Sequence, residues 1–274
     1  MRGLLPMLRS LLLKKQDDKL ESPDFESELE FWSTYLAARP DGISNAAYRE
    51  SAFPAQLLPY LHDMRSRGGN IKLLEVGAGP VSLLSWGAEQ CLFEMTAIDP
   101  LADAYARILA DNHISYPVKP VSGSGEKLLD IFAERSFDVV YSSNALDHAI
   151  SPHQSLQNIS RVVKEGGLVC LEGFCREGTN AGWEGLHQHD LVPQNGQLLH
   201  FNRQGHCTNL TGTLDFKCLS QKIGPFSDRG IQSFGYEPGE NGFICGWYYF
   251  DWYTMIFRAQ PSPWNNRRSE PASS

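Results

Sequence analysis

Short apolar runs and amphipathic stretches alternate through the middle of the chain. Leu73, Leu74 and Val76 form a run of the kind that makes a buried parallel strand, predicted over about 71–76. Further strands are predicted at about 93–98, at about 116–121 between Pro117 and Pro120, at Phe137–Tyr141 and at Leu168–Leu171. Between them the pattern predicts helices at about 80–89, 101–110, 125–134 and Pro152–Lys164. The last carries Leu156, Ile159, Val162 and Val163 at helical spacing, with Glu165–Gly166–Gly167 as its stop. Strands that alternate with helices of about ten to fifteen residues mean an α/β fold with a doubly wound parallel sheet.

The flanks read differently. Ser22–Pro23–Asp24 starts a helix over Phe25–Ala38, with Phe31, Trp32, Tyr35 and Leu36 on one face, and Pro40, Asp41 and Gly42 stop it. A second helix is predicted over Pro54–Arg67, ended by Gly68–Gly69. Residues 1–70 therefore form an N-terminal helical segment or cap before a main domain of 71–259. Residues 173–212 are rich in Gly, Asn, Gln and His and show little periodicity, so they are predicted as a long substrate-side loop. Phe216–Ile223 and Phe243–Ala259 read as two closing strands, and 260–274 as a disordered tail.

Composition narrows the classes. A chain of 274 residues with 42% hydrophobic residues can bury a sizeable core. No apolar run reaches the roughly 18–20 residues that span a bilayer. The first fifteen residues, MRGLLPMLRSLLLKK, are basic and apolar, but Arg9 breaks the run and no small-residue cleavage site follows. They predict a surface helix, either packed on the domain, the favoured reading, or resting weakly on a membrane, without stable membrane insertion. The net charge of −8 and the lack of a basic stripe disfavour a nucleic-acid partner. Six scattered cysteines without CxxC pairing read as thiols in a reducing compartment, so a cytoplasmic location is expected. A homodimer is left open.

The chemistry gathers around KLLEVGAGPVS (Lys72–Ser82). Gly77, Ala78 and Gly79 leave little bulk where the first strand turns toward a helix, and Pro80 suits that helix's first turn. The second strand ends in Asp99, about twenty residues later. Ser82 stands where a dinucleotide motif has its third Gly. Glu75 would oppose a pyrophosphate and suit an ammonium or sulfonium group. With AIDPLADAY (Ala97–Tyr105), GSGEKL (Gly123–Leu128), FDVVYSSNALDH (Phe137–His148) and RVVKEGG (Arg161–Gly167), the stretch from Leu73 to about Gly173 resembles the class I S-adenosylmethionine (SAM)-dependent methyltransferases. It is most similar to their type 11 small-molecule branch. The Glu177–Asp190 segment, with its Gly-Leu-His-Gln run, is similar to a bacterial subgroup of that branch.

The resemblance implies a Rossmann-like sheet of about seven strands, mostly parallel with an antiparallel closing strand. It implies SAM as cofactor, held by Glu75, Gly77, Ala78, Gly79, Asp99, Pro100, Gly125, Glu126, Ser143 and Asn144. Asp99 would accept from the ribose hydroxyls. The Gly123–Glu126 stretch would lie against the adenine, with Ser124 where the family often has an acid. The implied reaction is methyl transfer to oxygen or nitrogen of a small molecule, or of a glycan or secondary-metabolite intermediate.

Proton removal from such an acceptor needs a base. Sites in open α/β sheets lie at the carboxyl ends of the strands, which nominates Asn144, Asp147 and His148. His148 is the first candidate base and His187 the second. Asp147, Trp183, Glu184 and His189 are expected to line the substrate side, and Glu184 and Asp190 either to orient a histidine or to bind a cationic substrate. No metal is expected, although His148, His187, His189 and Asp190 are of the right ligand types. Two other readings stay open: an NAD-dependent oxidoreductase, which Glu75 opposes, and a SAM-fold protein that binds a partner without catalysis.

Overall fold

The computed structural model describes residues 25–38, 46–226 and 250–261. The expected N-terminal surface helix, the start of the last predicted strand and nearly all of the tail lie outside these residues. In chain order the elements are α1 (Phe25–Ala38), α2 (Ala46–Ala52), α3 (Leu58–Ser66), β1 (Lys72–Val76), α4 (Ser85–Glu89), β2 (Glu94–Asp99) and α5 (Ala102–Asp111). Then follow β3 (Val121–Ser122), α6 (Leu128–Ile131), β4 (Phe137–Ser143), α7 (Pro152–Val162), β5 (Val163–Phe174) and α8 (Glu177–Asn180). The chain continues with β6 (Asp190–Gln194), β7 (Gln197–Phe201), β8 (Cys207–Asn209), β9 (Phe216–Pro225) and β10 (Asp251–Ala259).

Seven strands form one sheet in the order β3-β2-β1-β4-β5-β10-β9. Strands β1 to β5 pair in parallel, and β10 pairs antiparallel to both β5 and β9. This is the Rossmann-like architecture that the alternation predicts. Both faces are covered, which is why the central strands carry unbroken apolar runs. Leu74, Val76 and Val140 pack with Leu156, Ile159 and Val162 of α7. Leu73, Val139 and Tyr141, one residue out of phase, pack on the other face with Phe53, Leu57 and Leu61. Strand order reverses between β1 and β4, so their carboxyl ends open a crevice at the switch point. Tyr35 and Leu36 of α1 and Ala52 of α2 pack with Val81, so the N-terminal helices cover the turn after β1.

Five expectations need correction, the first being the strand predicted at about 116–121, which is only the two-residue β3, Val121–Ser122. Helix α4 starts at Ser85 rather than about residue 80. The Ser82 hydroxyl accepts from Leu84 N at 3.1 Å, and this local turn replaces the first helical turn, leaving Pro80 ahead of the helix. The predicted 125–134 helix is a 3₁₀ turn, Gly125–Lys127, followed by α6, and Phe132 ends it with extended backbone. Strand β5 begins at Val163, before the glycines, which form an irregularity in its pairing with β4.

The largest correction concerns 173–212. It contains α8 and a three-stranded antiparallel sheet, β6-β7-β8, instead of an irregular loop. Its first hairpin turns on Asn195 and Gly196, with φ of 52° and 76°. Two positive φ values are what a tight hairpin with right-handed strand twist requires, and Asn-Gly supplies them cheaply. Leu191, Leu198 and Leu210 insert into the main core and fix this sheet to the domain.

Candidate active site at the carboxyl ends of the parallel strands

The turn after β1 is built on backbone. Gly77, with φ +73°, donates its N–H to Ile98 O at 2.9 Å, and Ala78 N donates to the same oxygen at 3.0 Å. A Cβ on Gly77 would lie 2.3 Å from the Ala145 Cβ, so only glycine lets this turn meet the one after β4. Gly79, with φ +59°, donates to Asp99 Oδ2 at 2.9 Å, and a Cβ there would meet nothing within 4 Å. Asp99 Oδ1 accepts from Leu101 N at 2.8 Å. Burial pushes the Asp99 carboxyl up to about 6 against the pull of these two N–H donors. Pro100 follows it and is exposed.

Glu75 lies beneath the turn and is buried. Burial pushes it up to about 8, while the Ser82 side chain and Leu83 N–H pull it back. Its Oε2 has no hydrogen-bond partner. A buried carboxylic oxygen without a donor is costly unless a ligand completes it.

The stretch after β3 is fixed to α7. Gly123 N donates to Asp99 O at 3.2 Å. A Cβ on Gly125 would fall 2.7 Å from Ser155 Oγ, and Asn158 Nδ2 donates to both Gly125 O and Glu126 O. Glu126 Oε1 accepts from Ser151 N at 3.2 Å, at the start of α7.

Strand β4 ends in the densest polar group of the site. Ser142 Oγ donates to Val76 O at 2.9 Å, while Ser143 Oγ is buried without a partner. Asn144 adopts φ +46°, an uncommon conformation for a residue with a side chain. Its N–H donates to Glu172 O at 2.9 Å, and its side chain reaches Glu177. The chain then turns through Asp147 and His148. His187, from the segment before β6, reaches the same point, held there by Gln188 N donating to Asp147 O at 3.3 Å. His187 Nδ1 lies 3.0 Å from Asp147 Oδ2, His148 Nε2 lies 3.1 Å from it, and the two ring nitrogens are 3.0 Å apart.

The electrostatics of this cluster follow from its contacts. Burial alone would raise Asp147, but His148 and His187 hold its carboxyl well below the usual range. Burial alone would lower His148, whose side chain keeps 18% of its surface open, and Asp147 outweighs it. Glu28 and Glu177 add to that, and His148 ends well above the ordinary histidine range. Burial and the Asp147 charge push Glu177 well above the usual carboxylate range. His148 and Glu28 both act electrostatically on Asp99, and the cluster and the β2 carboxylate both lie at the carboxyl ends of the two strands that flank β1.

The other expected residues fall elsewhere. His189 is buried and differs from the substrate contact expected of it. Its Nε2 donates to Ala149 O at 2.8 Å, so in the neutral ring Nδ1 accepts from His200 Nε2 at 2.9 Å. Both ring nitrogens are thus used inside the protein. Asp190 accepts from Thr179 N and Thr179 Oγ1 and orients α8 rather than a histidine. Trp183 packs on Gly178, where a Cβ would lie 2.9 Å from its ring, and Glu184 is exposed. Sequence reasoning missed Glu28 and Glu177. Glu28 accepts from Trp32 Nε1 at 2.7 Å, an i, i+4 pair that was visible in the sequence. Nothing local marks Glu177.

SAM fits this cleft by its donor set. A carboxylate ends β2, an orphaned carboxyl oxygen lies under the turn, and Gly79 leaves the space above open. Glu28 and Asp99 suit a cationic sulfonium, and Glu75 joins them where it is ionised. Residues 74–171 match the family described as "Methyltransferase domain". The mouse (Mus musculus) protein named "Thiol S-methyltransferase TMT1B" is 29% identical over 118 residues, 42% of this chain and 47% of that protein. A Mycobacterium tuberculosis protein, "Uncharacterized protein Rv1509", is 31% identical over 96 residues, 34% of this chain and 32% of that one. The chain thus spans about half the length, or less, of these curated relatives. Among solved structures, the 1,6-didemethyltoxoflavin-N1-methyltransferase of Burkholderia thailandensis is similar at 15% identity and a TM-score of 0.46, over 89% of this chain and 93% of that one. Among the described residues, no helix is long and apolar enough to cross a membrane. The matched segment, the sheet order and the turn after β1 together place residues 74–171 in the class I SAM-dependent methyltransferases.

Proposed function

We propose that this chain transfers the methyl group of SAM to an oxygen or nitrogen of a small molecule, or of a glycan or secondary-metabolite intermediate, in the cytoplasm. The observation that carries this reading is the Asp147–His148–His187 cluster at the end of β4, on the same edge of the sheet as Asp99 at the end of β2. SAM supplies a methyl on a sulfonium, a good leaving group, so the chain's main work is positioning. Asp99 has lone pairs left to accept the ribose hydroxyls, and Glu75 offers its unpartnered oxygen from below. Gly125 and Glu126 line the adenine side. The turn at Ser143 and Asn144, pressed against Gly77 through Ala145, closes the floor.

An oxygen or nitrogen acceptor must also lose a proton. With no metal bound, Asp147 raises His148 and favours its imidazolium form, which cannot take one. His148 therefore serves as a fixed charge that holds Asp147, and His187 is the base of the cluster, its Nδ1 oriented by Asp147 Oδ2. The name of the mouse relative favours a second reading, transfer to a thiol, in which the same cluster would take the thiol proton.

Calorimetric titration with S-adenosylhomocysteine tests the reading. Micromolar binding that is lost in Asp99→Ala is expected, followed by turnover in a screen of hydroxyl, amine and thiol acceptors. A folded protein that binds neither S-adenosylhomocysteine nor SAM would overturn it.

A further inference from the structure

Three atoms that can each offer a lone pair once deprotonated converge in the cleft. Asp147 Oδ2, His148 Nε2 and His187 Nδ1 form a triangle with edges of 3.0, 3.0 and 3.1 Å. A hydrogen bond joins two atoms along a line, so no placement of protons satisfies all three edges. A single ion above the triangle does. With bonds of about 2.1 Å, ligands at right angles stand about 3.0 Å apart, whereas tetrahedral angles would need about 3.4 Å. The edges therefore match one face of an octahedron. Two imidazoles and one carboxylate on a face, with the remaining positions open, suit divalent first-row metals better than magnesium or calcium.

A second observation points the same way. Glu177 is only 3% exposed, and its Oε1 lies 3.6 Å from His187 Nδ1. Its Oε2 is buried without a hydrogen-bond partner. A short shift would bring this carboxylate to a fourth position. Outer contacts hold the set in place. The Asn144 side chain reaches Glu177, and Gln188 N fixes the His187 segment to Asp147 O.

We propose that Asp147, His148 and His187, with Glu177 as a fourth ligand, bind one divalent first-row transition-metal ion. The site departs from the sequence expectation of no metal, because the fold unites histidines 39 residues apart. Its role rests on the methyl-transfer reading. With the ion bound, the metal takes over the part given above to His187 as base: an acceptor hydroxyl taking an open position gives its proton to solvent near neutral pH, as metal-bound water does, and stands fixed beside the cofactor cleft.

The test is titration of chelator-treated full chain with Mn²⁺ and with Co²⁺, followed by calorimetry, and by electron paramagnetic resonance or visible absorption. One ion per chain is expected. Asp147→Asn, His148→Ala and His187→Ala should each weaken binding at least about tenfold. His206→Ala, an exposed histidine far in sequence from the cluster, should leave it unchanged. Binding of S-adenosylhomocysteine by the His187→Ala chain reports that it is folded. No saturable metal binding to wild type, or equal binding by the three cluster variants, overturns the site while leaving the methyltransferase reading intact if S-adenosylhomocysteine still binds. Saturable metal binding without S-adenosylhomocysteine binding upholds the site and overturns that reading.

Discussion

Individual residues in this cleft carry costs of burial and close approach, and those costs are measurable. Burial holds the Glu75 carboxyl at about 8, above the 4.5 of an unfolded chain. The folded state therefore holds this proton more tightly, and the stability so gained is full below about pH 4.5 and is lost as pH rises through about 8. Glu75→Gln keeps the shape without the ionisation. The melting temperature of the variant minus that of wild type should climb by several degrees between about pH 5 and pH 8, as thermal melts would read. A difference that stays flat means that Glu75 is solvated. Gly77 offers a sharper case. Alanine there meets Ala145 at 2.3 Å and must keep φ +73°, so Gly77→Ala should cost at least about 2 kcal/mol in chemical denaturation. Gly77, Gly79 and Asp99 were legible in the sequence because their roles are local, a turn and a strand end. The Asp147–His148–His187 convergence was not, because its members meet only through the packing of a distant segment.

At the scale of elements, periodicity announced what is regular and buried and failed where side chains compete with backbone. Strand β4 and helix α7 are close to their predicted limits because apolar spacing defines both. The first turn of α4 is absent because the Ser82 hydroxyl captures Leu84 N. The β6–β7 hairpin was legible and overlooked, since Asn195–Gly196 stands between two short strand-like runs. In the proposed function that hairpin positions the catalytic side. It follows directly on His187 and His189, and His200 of β7 bonds His189. Gly196→Val would force a branched residue into φ +76°, with its Cβ 3.2 Å from the Cys218 Cβ. The strain should loosen the hairpin and the His187 segment, while the Asp99 side stays in place. Turnover should fall about tenfold or more with the affinity for S-adenosylhomocysteine changed less than about twofold. Equal losses in both would mean that the hairpin supports the whole domain rather than this one edge.

The whole molecule brings acidic groups to the cofactor cleft of a chain whose net charge is already −8. Glu28 from α1, Asp99 from β2 and Glu75 from β1 come from three elements, and only the sheet order with its covering helix places them together. Their protonation sets how the cleft treats a cation. With Asp99 at about 6 and Glu75 at about 8, both are largely neutral near pH 5 and both are ionised by about pH 8.5. SAM carries a sulfonium charge that S-adenosylhomocysteine lacks, and the two are otherwise nearly the same ligand. Comparing them cancels the ribose, adenine and amino-acid contacts and leaves the charge. The preference for SAM over S-adenosylhomocysteine should therefore rise several-fold from about pH 5.5 to about pH 8.5, measured by paired calorimetric titrations. It should shrink in the Glu75→Gln chain. A preference that does not change with pH would mean that these carboxylates set the shape of the turn and do not read the sulfonium. The pH dependence of binding would then have to come from the amino acid end of the ligand.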